Sequence, residues 1–108
     1  MEFNEYQELA MRTKGENKDF NMALIMGALG ASGEAGEIAD HVKKVVFHEH
    51  PLNINNLAKE MGDVMWYLAY LSDVIGVPLD KIADMNIQKL KDRYPDGFSS
   101  EASINRRE

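Results

Sequence analysis

The 108-residue chain contains no cysteine, only three prolines and no long apolar run. The absence of cysteine excludes a disulfide framework, a cysteine-ligated zinc ribbon and a cysteine nucleophile. No segment approaches the ~18 consecutive apolar residues that a membrane-spanning helix needs, so we expect no membrane partner. The first five residues also lack the basic and apolar stretches of a secretory signal peptide. These absences are compatible with a cytoplasmic protein.

Basic residues are few in comparison with acidic ones. Twelve Lys and Arg residues stand against 18 Asp and Glu residues, which gives a formal net charge of −6. Because phosphate affinity requires a basic patch, we expect no nucleic-acid partner. The apolar fraction of 44% is too high for a disordered acidic chain. The length fits a single domain over 1–108, with a polar C-terminal tail at about 96–108.

Helical periodicity runs through most of the chain, and no segment alternates strictly between apolar and polar residues over a strand's length. The sequence therefore predicts an all-α, four-helix bundle-like protomer with long antiparallel central helices. Four helices of this length leave apolar flanks exposed, so we expect assembly into an oligomer. The predicted helices span about 4–14, 20–47, 53–75 and 78–94.

Capping residues support these boundaries. Asn4 is a predicted N-cap of the first helix, with Gln7 as its capping-box partner three positions later. Asp19 is the predicted N-cap of the second helix, and either Asn53 or Asn55 is that of the third. Gly76 is the predicted C-terminal cap of the third helix.

Two pairs of carboxylates recur at the same spacing, Glu34 with Glu37 and Glu60 with Asp63. Residues three apart share one helix face, so each central helix presents two carboxylates side by side. If the helices pack as an antiparallel hairpin, these carboxylates converge and repel one another. Hard divalent cations with oxygen ligands relieve such repulsion, which predicts a Mg²⁺ site, with Mn²⁺ as an alternative.

The alternative is that these acids belong to ordinary solvated helix faces, where glutamates at this spacing are common. Asp40 continues the first row and is either an additional ligand or a solvated acid. Convergence is favoured because each pair flanks an apolar stripe. The predicted stripes are Leu24, Ala28, Ala31, Ala35, Ile38 and Val42 in the second helix, and Leu57, Met61, Val64, Leu68, Leu71 and Ile75 in the third.

Glycine recurs at every third position of the second helix, at Gly27, Gly30, Gly33 and Gly36. Each glycine costs roughly 1 kcal/mol relative to alanine in a helix interior, so the pattern calls for a reason. One interpretation is close packing against another helix. The other is room for a ligand beside the first pair of acids.

The fourth predicted helix carries Asn86, Lys89 and Arg93 on one face. This row is either a solvated surface or a set of contacts to phosphate oxygens, which Arg93 can bind through two parallel hydrogen bonds. Trp66 and Tyr67 follow the second acidic pair and either belong to the core or a subunit interface, or line a base pocket.

The ordered set of motifs resembles the MazG-like nucleotide pyrophosphohydrolases of the all-α NTP pyrophosphatase superfamily. The resemblance extends over about residues 20–95. It rests on Glu34-x-x-Glu37, Glu60-x-x-Asp63, Asn86-x-x-Lys89 and Arg93-Tyr94-Pro95. Many members carry two adjacent glutamates at the start of the first motif, whereas Gly33 precedes Glu34 in this chain.

The resemblance implies an enzyme that cleaves a nucleoside triphosphate between its α and β phosphates to give a monophosphate and pyrophosphate. It implies that the four acids bind Mg²⁺, with Glu37 or Glu34 orienting the attacking water. It also implies phosphate contacts from Asn86, Lys89 and Arg93, and a homodimer or homotetramer with a site shared across an interface.

Two alternatives stay open. A phosphoribosyl-ATP pyrophosphohydrolase cleaves the same bond in a different nucleotide. A non-enzymatic helical oligomerisation module would use the glycines for packing and leave the acids solvated or partner-binding.

Overall fold

The computed structural model describes residues 1–105, which form five α-helices without a β-strand among them. The prediction of an all-α fold is confirmed. The predicted number of four helices is wrong, because a fifth, short helix lies within the segment predicted as a polar tail; the last residues of that segment, 106–108, lie outside the described residues. The helices are α1 (Phe3–Met11), α2 (Phe20–Phe47), α3 (Ile54–Ile75), α4 (Leu79–Arg93) and α5 (Ser100–Ile104).

Local side-chain chemistry sets the ends of the two long helices. Asp19 accepts a hydrogen bond from the Met22 amide at 2.9 Å, and Asn53 accepts one from the Asn56 amide at 3.0 Å. Gly76 ends α3 in the left-handed region, with φ of 73°. The predicted caps of α2 and α3 are therefore confirmed, with Asn53 rather than Asn55 at the start of α3.

The predicted capping box at the start of α1 is wrong. The helix begins at Phe3, and its N-cap Glu2 makes no side-chain capping bond. The side chains of Asn4 and Gln7 instead bind the first amides of α4, on a different part of the chain.

Helices α2 and α3 pack against each other as an antiparallel hairpin, with glycines at the contact. A Cβ added at Gly27 would lie 2.6 Å from Cδ2 of Leu71, and one added at Gly30 would overlap the ring of Tyr67. The buried face of α2 thus follows Ala23 and Gly27. The predicted stripe is one residue out of register with this face, since its members Ala28 and Ala35 are exposed. Helix α3 packs instead against the side that carries Gly27 and Gly30, because glycine has no side chain to hold the two helices apart.

The two interpretations of the glycine pattern divide along the helix. Gly27 and Gly30 serve close packing. At Gly33 and Gly36, which directly precede Glu34 and Glu37, no other described part of the chain comes within 4 Å of an added Cβ. Gly33 and Gly36 are exposed, so the free space that they leave lies on the outer surface of α2 beside the acids.

We expect Gly30→Ala to destabilise the hairpin and Gly36→Ala to leave it intact. The methyl group at position 30 meets the Tyr67 ring, and such overpacking costs about 1–3 kcal/mol. At position 36 the methyl group meets open space, and the helix gains up to ~1 kcal/mol in propensity. Urea unfolding of both variants measures the difference, and equal stability of the two would contradict the close packing at Gly30.

The remaining helices assemble around α3. Trp66 donates its ring N–H to the carbonyl oxygen of Ala10 at 3.2 Å and to the hydroxyl oxygen of Thr13 at 2.8 Å, which ties α3 to α1. Helix α4 contacts both α1 and α3. Among the described residues no helix has the length and apolar character needed to cross a membrane.

Much apolar surface is left uncovered by this arrangement. Ile54, Met61, Met65 and Leu68 share one face of α3, and each has at least 42% of its surface exposed. The radius of gyration is 16.9 Å, whereas a compact domain of this length has about 13 Å. The chain is an open layer of helices with a thin core.

Candidate active site

The register of the hairpin brings the two acidic pairs to the same level. Gly30 lies against Tyr67, and further along the hairpin His41 lies beside Glu60. Between these two contacts, Glu37 lies opposite the segment from Glu60 to Asp63, and Glu34 lies opposite the residues just after Asp63. The antiparallel packing on which the predicted convergence depended is therefore present.

Glu37 and Glu60 line one open cleft of about 420 Å³ between α2 and α3. The cleft combines carboxylates, two ammonium groups, two imidazoles and an amide. Its lining residues are Glu37, Asp40, His41, Lys44, His50, Asn56, Lys59 and Glu60. A polar, open cleft of this kind accommodates a charged and hydrated group rather than an apolar one.

His41 is the neighbour of Glu60 across the hairpin. Its Nδ1 atom lies 3.7 Å from a carboxylate oxygen of Glu60, and both side chains are about four-fifths buried. The Nε2 atom of His41 is buried and has no hydrogen-bond partner within the described part of the chain. Burial and this neighbour restrict where the Glu60 carboxylate can point.

Asp40 is engaged by two neighbouring lysines. Its carboxylate oxygens lie 3.0 Å from Nζ of Lys43 and 2.9 Å from Nζ of Lys44. Hydrogen bonds from Lys44 and Lys43 lower the pKa of Asp40 to about 2. Of the two interpretations of Asp40, the solvated acid fits these contacts better than the additional ligand.

Asp63 lies on the side of α3 that approaches α1. The pKa of the Tyr6 hydroxyl is raised by its burial and, in second place, by the negative charge of Asp63. The phenol therefore stays protonated at neutral pH, as a hydrogen-bond donor near this carboxylate. The pair Glu60 and Asp63 thus has a neighbour from α2 on one side and from α1 on the other.

Glu34 is half-buried and lies one turn before Glu37, between the open positions Gly33 and Gly36. Within residues 1–105, no three histidine, aspartate or glutamate side chains lie close enough together to hold a metal ion. The structure brings Glu37 and Glu60 into one cleft, whose lining does not include Glu34 or Asp63. Mg²⁺ typically uses one or two protein carboxylates and completes its shell with water and substrate phosphates, so this donor set fits the ion.

The two aromatic candidates are both used in helix packing. Trp66 stacks on Tyr70, with ring centroids 5.6 Å apart, besides its hydrogen bonds to α1. Tyr67 packs edge-on against Trp66 and covers Gly30. Their place in a base pocket stays a prediction.

The basic row lies on α4, outside the acidic cleft. Asn86 and Lys89 are exposed and Arg93 is half-buried. Arg93 lines a separate open cleft of about 490 Å³ with the turn from Pro95 to Ser99. Within the single chain, the structure does not join the row to the carboxylate cleft.

Sequence reasoning gave no role in the site to three neighbours of the acids: Tyr6, His41 and Lys59. His41 follows Glu37 by four residues, so helix spacing alone could have placed it on the acidic face. Lys59 precedes Glu60 directly, and spacing gives no reason for it to share the cleft. The proximity of Tyr6 depends on the docking of α1, for which no local signal exists.

Comparison with known proteins agrees with the motifs. The family model for the MazG nucleotide pyrophosphohydrolase domain matches residues 27–98, from the glycine-rich part of α2 to the turn after α4. The chain is also 38% identical over 82 residues to the Gene 37 protein of Mycobacterium phage L5, covering 72% of each sequence. No solved structure matches the chain.

Proposed function

The chain belongs to the MazG nucleotide pyrophosphohydrolase family, and from this premise we propose that it hydrolyses a nucleoside triphosphate between the α and β phosphates. The products are a nucleoside monophosphate and pyrophosphate. The substrate is an NTP or a dNTP.

The carboxylates have two proposed roles, activation of the attacking water and binding of the divalent cation. Glu37 orients and deprotonates the attacking water, and Glu34 is the alternative for this role. Glu34, Glu37, Glu60 and Asp63 provide oxygen ligands for Mg²⁺, or for Mn²⁺. When bound, the cation offsets the carboxylate charge, polarises the phosphate oxygens and stabilises the charge of the leaving group.

The remaining candidate residues hold the substrate. Lys89 and Arg93 bind the departing pyrophosphate, and Asn86 donates a hydrogen bond to a phosphate oxygen. Trp66 and Tyr67 border the base. The observation that carries the proposal is that Glu37 of the first acidic motif and Glu60 of the second line the same cleft.

A nucleotide panel tests this proposal. The protein is incubated with each NTP and dNTP and with phosphoribosyl-ATP in the presence of Mg²⁺, and the products are separated by anion exchange. Monophosphate and pyrophosphate in equal amounts support it. Diphosphate with phosphate, or no turnover across the panel, contradicts it, and turnover of phosphoribosyl-ATP alone assigns the other substrate.

Self-association as a homodimer or homotetramer is part of the proposal. The accessible surface of 8153 Å² exceeds by about 2,000 Å² that of a typical monomer of 12.2 kDa. A stable dimer buries about 800 Å² or more from each partner, so the excess is sufficient. A second copy packed against α3 would cover its exposed apolar face, which carries Met61, Met65 and Leu68. A site shared between two copies would also explain why the basic row lies outside the acidic cleft of a single chain.

We expect Leu68→Glu to dissociate the oligomer, because it places a charge in the stripe of α3, where Leu68 is 48% exposed. Gln88→Glu adds the same charge at an exposed position of α4 and is the matched control. Light scattering after size exclusion measures the mass of wild type and both variants. A monomeric wild type at micromolar concentration would refute self-association.

A further inference from the structure

Helix α4 carries the basic row, yet it has no N-terminal capping side chain of its own. Its N-cap is Pro78, which makes no side-chain capping bond. The first amides of a helix have no partner within the helix, so they need one from elsewhere. Here Gln7 Oε1 accepts from the Leu79 amide at 3.0 Å, and Asn4 Oδ1 accepts from the Asp80 amide at 3.3 Å.

The Gln7 side chain is itself fixed by α3. Its Nε2 donates to the carbonyl oxygen of Ala69 at 3.1 Å and to the hydroxyl oxygen of Ser72 at 2.8 Å. The Ser72 hydroxyl, on a residue that is 1% exposed, donates in turn to the carbonyl oxygen of Val77 in the turn before α4. One amide group thus joins α1, α3 and the start of α4, and both of its N–H groups have partners.

We propose that Gln7 is a positioning residue for the hydrolysis proposed above, since it sets the direction in which α4 leaves the bundle. Arg93 lies about 21 Å from the start of α4 at ~1.5 Å rise per residue, so a tilt of about 10° at Gln7 moves it by about 4 Å. Lys89 moves in proportion. A misplacement of about 1 Å in substrate-holding groups can reduce a rate about a hundredfold, so this junction matters for the reaction. This inference rests on the proposed function for its catalytic consequence, whereas the clamp itself rests on the hydrogen bonds.

The test uses Gln7→Met, which keeps the length of the side chain and removes all its hydrogen bonds. Ser72→Ala is the structural control, because it weakens the same network and leaves the Gln7–Leu79 bond in place. Gln88→Met makes the same substitution at an exposed position of α4. All variants are assayed well below their unfolding temperatures.

In steady-state kinetics, we expect Gln7→Met to raise KM for the nucleotide by about tenfold or more, because displaced phosphate contacts weaken binding of substrate and transition state alike. Ser72→Ala and Gln88→Met should keep KM within about twofold of wild type. If Gln7→Met keeps the wild-type KM, or if KM follows stability in both network variants, the positioning role is refuted.

A distance measurement tests the clamp without turnover. The chain has no cysteine, so cysteines introduced at Asn55 and Lys91 take spin labels at unique sites on α3 and α4. With labelled protein diluted into unlabelled protein, we expect a narrow distance distribution in wild type and Ser72→Ala, and a broad or shifted one in Gln7→Met. An unchanged distribution in Gln7→Met contradicts the clamp, whereas an inactive wild type with a broadened variant contradicts the proposed function alone.

Discussion

Glu37→Gln is expected to lower turnover of the nucleoside triphosphate by about 10²–10⁴-fold, the range for loss of a general base. The amide has nearly the same shape as the carboxylate, but it cannot accept the proton of the attacking water. Because Glu37 is exposed on α2, the variant should fold normally. Product formation by anion exchange and unfolding temperature by circular dichroism measure the two effects.

Asp40→Asn is the matched control, since Asp40 lies one turn further along α2 and lines the same cleft. Its charge is already paired with Lys43 and Lys44, and exposed ion pairs contribute little to stability. We expect turnover close to that of wild type. Full activity in Glu37→Gln, or an equal loss in both variants, would remove Glu37 from the proposed role.

Asp63→Asn extends the same experiment to α3. It removes one carboxylate of the second motif and the charge that acts on Tyr6, while Asp63 is exposed and its neighbours in the core are unchanged. We expect loss of turnover without loss of helix content. A variant with wild-type turnover would exclude Asp63 from the ligand set.

Local signals in the sequence determined most of the fold. Asp19, Asn53 and Gly76 cap their helices through contacts within a few residues, so spacing and residue type were sufficient to find these ends. The antiparallel packing of α2 and α3 followed from apolar periodicity over long segments. The family resemblance rests on the same periodic motifs, and the match of the MazG family model to residues 27–98 confirms it.

The errors at Gln7 and on α2 share one physical cause, which is that contacts distant in sequence outweighed local ones. Gln7 has the spacing of a capping-box partner, yet its amide binds residues more than 60 positions away. The buried face of α2 differs from the predicted stripe by one residue, because Gly27 and Gly30 let α3 pack closely against them. Apolar periodicity does not count glycine as a core residue. Convergence of the acids depends on such contacts too, which is why spacing could propose the set but not the neighbour Tyr6, whose position depends on the docking of α1.

Removal of divalent metal is expected to abolish turnover completely, and the same dependence should be visible in stability. A ligand that binds only the folded state stabilises it by about 2.7 kcal/mol at a hundredfold excess over its Kd. For a chain of this length, that corresponds to a rise in unfolding temperature on the order of 10 °C. We expect such a rise with Mg²⁺ or Mn²⁺ together with a non-hydrolysable triphosphate analogue, measured by differential scanning fluorimetry.

The metal alone or the analogue alone should raise the unfolding temperature less than the two together, because of the charges in the cleft. Glu37 and Glu60 line one cleft, and among residues 1–105 no three histidine, aspartate or glutamate side chains are grouped so that they could hold a metal ion, so Mg²⁺ alone gains few protein ligands. The analogue alone brings negative charge towards those carboxylates and is repelled. We therefore expect the metal and the phosphates to bind cooperatively, each supplying what the other lacks. An analogue that stabilises the protein equally well in the presence of a chelator would show that the carboxylates do not act through a cation.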